Sequence, residues 1–94
     1  MENKINLNIA FYAREDWERL LSISIDKNKL ENSWEKWYEN YRKAKIEFLA
    51  QVIITYDVRV SLDELIEFCK QRNLKIDGAA RSRFVAGKKV NYGL

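Results

Sequence analysis

Val52-Ile53-Ile54-Thr55-Tyr56-Asp57-Val58-Arg59-Val60, followed without a break by Ser61-Leu62-Asp63-Glu64-Leu65-Ile66-Glu67-Phe68-Cys69, decides how this chain folds. In the first half Val52, Ile54, Tyr56, Val58 and Val60 alternate with Ile53, Thr55, Asp57 and Arg59, which sets the large side chains of one parity on one face of a strand. In the second half Leu62, Leu65, Ile66 and Cys69 recur at helical spacing, and Ser61 with Glu64 has the form of a capping box. The period changes within one residue. The stretch therefore predicts a strand over 52–60 that runs directly into a helix over 61–73.

Working outward, Ile5, Leu7, Ile9 and Phe11 alternate with Asn6, Asn8 and Ala10, so residues 4–12 read as a second strand. An isolated strand leaves its backbone groups unpaired, and these two are the strong candidates, so they are predicted to pair, with the direction left open. A helix over 14–23 begins with Glu15, Asp16 and Glu18, carboxylates at the positive end of its dipole, and buries Trp17, Leu20 and Leu21. Asn32 or Ser33 caps a longer helix over 32–50. Asn73 is suited to the left-handed residue that ends the 61–73 helix, and Asp77 caps a last helix over 78–86 that stops at Gly87. The reading is an α+β fold, a small two-stranded sheet packed against about four helices. One domain spans 1–94, with 88–94 a frayed tail.

Composition narrows the class. The chain is 47% hydrophobic and 33% charged, with three Gly and no Pro, which is the balance of a folded globular domain made mostly of regular elements. No apolar run is long enough to span a membrane, and Met-Glu-Asn-Lys lacks the apolar segment of a secretory signal, so a cytoplasmic protein with no membrane association is expected. Cys69 has no partner for an intrachain disulfide. Charge is uneven: residues 1–69 hold 10 basic and 13 acidic side chains, whereas residues 70–94 hold 7 and 1.

Chemistry-bearing motifs are few. There is no His, no Cys pair, no Gly-rich phosphate loop and no Gly-x-Ser-x-Gly, so neither an enzyme, a cofactor, a metal nor a small-molecule substrate is expected. The acidic sets Glu15, Asp16, Glu18 and Asp63, Glu64, Glu67 are accounted for by helix dipoles, capping and solvent. Two surfaces stand out. The long helix carries an aromatic stripe, Trp34, Trp37, Tyr38 and Tyr41, continued by Phe48 and Leu49; its first four members are either core or a protein interface, where Trp and Tyr are enriched. The basic end offers Lys75, Arg81, Arg83, Lys88 and Lys89 as phosphate contacts, although Arg81 can also pair with Asp77 four residues earlier.

Arg-Glu-Asp-Trp at 14–17, Ser-Trp-Glu-Lys-Trp at 33–37, Cys69 and Asp-Gly-Ala-Ala-Arg-Ser-Arg-Phe-Val at 77–85 resemble a family of short, uncharacterised bacterial proteins over residues 9–86. That family has an Asp-Trp near its start and an Asp-Gly-x-Ala-Arg-Ser-x-Phe-Val ending. The resemblance implies a bacterial or phage source and carries no activity with it. It breaks at 51–53, where the pattern leads one to expect a glycine before the strand. The functional expectation is a non-enzymatic protein-interaction module, a small adaptor or regulator. It would be homodimeric through the aromatic helix and an open strand edge, which a second copy would extend to four strands. The alternative is a nucleic-acid-binding protein using its basic C-terminal end.

Overall fold

A computed structural model describes residues 5–88. Strand β1 (Ile5–Phe11) and strand β2 (Ile53–Arg59) form a two-stranded sheet, and they pair in parallel, from Ile5 beside Ile53 to Phe11 beside Arg59. Parallel pairing needs a long crossover. Here it carries a 3₁₀ turn at Arg14–Asp16, helix α1 (Trp17–Ile23), a second 3₁₀ turn at Lys27–Lys29 and helix α2 (Trp34–Ala50). Helices α3 (Leu62–Gln71) and α4 (Gly78–Ala86) follow β2. The expected α+β architecture is present, with the 14–23 segment divided between a 3₁₀ turn and α1. Among the described residues no helix is long and apolar enough to cross a membrane.

The register puts the apolar rows of the two strands on opposite faces. Ile5, Leu7, Ile9 and Phe11 share a face with Ile53, Thr55, Asp57 and Arg59, while Asn6, Asn8 and Ala10 share the other with Ile54, Tyr56 and Val58. α2 covers the first face: the Phe11 ring lies 5.6 Å from Trp37 and from Tyr41, and the Tyr41 hydroxyl donates to Asp57. α4 and α3 cover the second, where Asn8 donates from its amide to the Val85 and Lys88 carbonyls, both at 3.0 Å. Val58 and Val60 enter the core there with Leu65, Cys69, Phe84 and Val85. A sheet with an apolar row on each side must be covered twice, hence helices on both faces.

Local chemistry sets the helix ends. Ser33, Ser61 and Asp77 accept from the backbone N–H three residues on, at 3.1, 3.3 and 2.9 Å. The capping box at Ser61 is half made, because the Glu64 carboxylate turns to Lys88 Nζ at 2.7 Å instead of back to the Ser61 N–H. Asn73 has φ 55° and closes α3, with the Leu74 N–H on the Cys69 carbonyl at 2.8 Å. Val52 has φ 62° and closes α2, its N–H on the Leu49 carbonyl at 2.9 Å. A β-branched residue in this region carries strain of about 1–2 kcal/mol. Lys88, read from the sequence as part of a frayed tail, is held by Asn8 and Glu64, and its ammonium sits 4.7 Å over Phe84. Residues 89–94 lie outside the described residues.

Candidate functional site

Of the first four residues of the aromatic stripe, Tyr41 is buried and Trp34, Trp37 and Tyr38 are half-buried. Trp34 and Tyr38 stack at 4.9 Å, Trp37 touches Tyr12 and Trp17, and Tyr41 is buried beneath the helix. Trp34 donates from Nε1 to the Tyr12 carbonyl at 2.7 Å, and Arg14 covers its ring at 4.7 Å. Burial, reinforced by the bond to Asp57, drives the Tyr41 hydroxyl well above its ordinary pKa, so it serves as a donor and not as a base. Lys45 joins the same carboxylate at 3.1 Å. These contacts brace α2 on the sheet and leave the stripe half-buried at its rim.

The bare apolar surface lies further along. Among the described residues, five of the six exposed large apolar side chains gather at the end where both strands begin and α2 finishes: Ile5, Leu7, Ile46, Leu49 and Val52. Ile46 and Leu49 are 68% and 65% exposed, so Leu49 leaves the stripe to which its spacing assigned it. They form one wall of a cleft of about 270 Å³ whose floor is Ile53–Thr55 of β2. Ile53 in turn lies beside Ile5 in the sheet register, which links the strand starts to the helix flank.

The basic set divides. Arg81 is a correction: it is 8% exposed and makes a two-pronged bond to Asp26 at 2.9 and 2.8 Å, with Ser24 Oγ at 3.1 Å. Asp77, its expected partner, has its carboxylate committed to the Ala80 N–H. Asp26 also accepts from the Gly78 N–H at 3.1 Å, so this one carboxylate ties the loop after α1 to the start of α4. The Arg81 hydrogen bonds hold its carboxyl below the usual range. Lys88 is paired with Glu64, while Lys75 and Arg83 share the rim of one shallow hollow. Lys89 lies outside the described residues.

Among the described residues no three His, Cys, Asp or Glu side chains stand together as a metal site. Cys69 is buried, and burial pushes its thiol up, away from reactivity. A cleft of about 510 Å³ runs between β1 and α4, lined by Leu7–Ala10 on one side and by Gly78, Ser82 and Ala86 on the other. Its charged group, Arg81, is already engaged by Asp26 and Ser24. No family model, no curated protein and no solved structure matches the chain.

Proposed function

We propose that this protein is a non-enzymatic protein-interaction module, a small adaptor or regulator whose partner is protein. The observation that carries the reading is the apolar end formed by Ile5, Leu7, Ile46, Leu49 and Val52 beside β2. Five large side chains held in water at one place cost free energy, roughly 1.5–3 kcal/mol for each that a partner could fully cover. Such clustering is not needed for folding, because the core is already complete around Leu20, Val60 and Leu65.

The test uses the intact chain, immobilised, against clarified host extract supplemented with the free chain itself. Native protein is expected to retain a protein partner that the Ile46→Lys, Leu49→Lys double variant does not retain. Both substitutions sit on exposed positions, so the fold survives them. Equal retention by native and variant protein, or none by either, rejects the reading.

A further inference from the structure

We infer that this surface takes a second copy of the chain, paired antiparallel along the outer edge of β2 about a two-fold axis at Ile54. The inference rests on the interaction-module reading and supplies its partner and geometry.

The hydrogen-bond parity of β2 fixes which groups face outward. Val60 donates its N–H to the Phe11 carbonyl at 2.9 Å. Alternate residues of a parallel strand turn N–H and C=O toward the same neighbour, so the even-numbered residues of β2 bond to β1 and Ile53, Thr55 and Asp57 present theirs to the outer side. No further strand lies there among the described residues. Nor does the edge carry the usual protection. From Val52 to Tyr56 it has no charge and no Pro, the devices that keep edge strands apart. The outer side of β1 differs, since α4 packs beside it and the Asn8 amide reaches two of the carbonyls that end that helix.

A strand edge is complementary to itself when the second copy runs antiparallel, and a two-fold axis closes the assembly at two chains. Both copies keep the same face toward α2, so residues of equal parity must oppose and the axis must pass a residue position. At Asp57 it would set two carboxylates against each other. At Thr55 or Tyr56 it would set Ile53 against Asp57 or Arg59. At Ile54 it sets Ile53 against Thr55, within the charge-free window. That position also sends the second copy's Ile53 and Thr55 into the cleft walled by Lys45, Ile46 and Leu49, where the Lys45 ammonium is held by Asp57. The product is a four-stranded sheet with the two β2 strands at its centre.

Sedimentation equilibrium of the purified chain at about 100 μM, well above ordinary micromolar dissociation constants, is expected to give a dimer, and the Ile46→Lys, Leu49→Lys variant a monomer. Ile54 opposes itself in a non-hydrogen-bonded pair with Cα atoms about 4.5 Å apart, inside the range a disulfide spans. Oxidised Ile54→Cys should therefore run as a covalent dimer. Thr55→Cys, with its Cα atoms diagonal at about 8 Å, should not. A monomer at that concentration, a dimer indifferent to the lysine pair, or linkage through Thr55→Cys in place of Ile54→Cys overturns the inference. If the purified chain is monomeric while extract still yields a partner lost in the lysine variant, the inference fails alone; if that retention is also absent, the interaction-module reading fails with it.

Discussion

Val52 holds a backbone conformation that its β-branched side chain opposes. Its φ of 62° suits glycine, and it occupies the stretch where the sequence resemblance leads one to expect glycine. Val52→Gly is predicted to stabilise the monomer by about 1 kcal/mol, relief of αL strain less the entropy glycine adds to the unfolded chain. Urea unfolding at low protein concentration checks this through a higher midpoint at unchanged slope. Arg81 works in the other direction: Arg81→Met strands the Asp26 carboxylate and should cost about 3 kcal/mol or more. Asp26 has a depressed folded pKa, so its contribution is fully present above the unfolded value of about 3.9 and is lost as pH falls through the folded one. Asp26→Asn should flatten that acid limb in a pH series of unfolding midpoints. Tyr12, whose pKa burial pushes up to about 12, gives an alkaline counterpart. Its contribution holds below the unfolded value of about 10 and disappears as pH rises through the folded value, and Tyr12→Phe should remove the slope. Asn73 was legible from sequence because Asn enters αL readily, whereas a valine at 52 argues against the conformation it adopts. Arg81 was not legible. Helical spacing offers Asp77, and nothing local reveals that Asp77 is spent on its cap while the true partner stands 55 residues earlier.

Element boundaries followed from periodicity and caps, since those signals are local. Both strands, α2, α3 and α4 fall within a few residues of their predicted spans. Ser61→Ala should cost about 1 kcal/mol, the worth of a lost N-cap. Glu64→Ala should cost no more than about 0.5 kcal/mol, because its carboxylate makes an exposed ion pair and leaves the capping box open. The difference between the two midpoints checks the half-made box. What periodicity could not convey is how α2 lies on the sheet. It marks Phe48 and Leu49 alike as apolar, but the inward row runs through Trp37, Tyr41 and Phe48, and Leu49, one residue on, is rotated by about 100° into solvent. The candidate surface is thus made of residues that look like core in the sequence and are displaced from it by geometry.

At the scale of the whole molecule the uneven charge loses its force as a nucleic-acid signal once Arg81 is inside and Lys88 is paired. Labelled duplex DNA and RNA at about 50 mM salt, where phosphate attraction is exaggerated, should give flat anisotropy titrations. Binding with a log-log salt slope near −4, on the order expected for four or five phosphate contacts, would contradict that expectation.

The amide of Asn8 has its own lesson about time. A chain leaves the ribosome amino end first, so β1 is made before its partner strand, which comes only after the whole crossover, and before its side-chain anchor, which comes only with Val85 and Lys88. A nascent chain halted before α4 lacks part of the cover on one face of its sheet and leaves the Asp26 carboxylate without Arg81. Completion of the fold therefore waits for α4, and a chain truncated before Gly78 is expected to be cleaved faster than the whole chain in limited proteolysis.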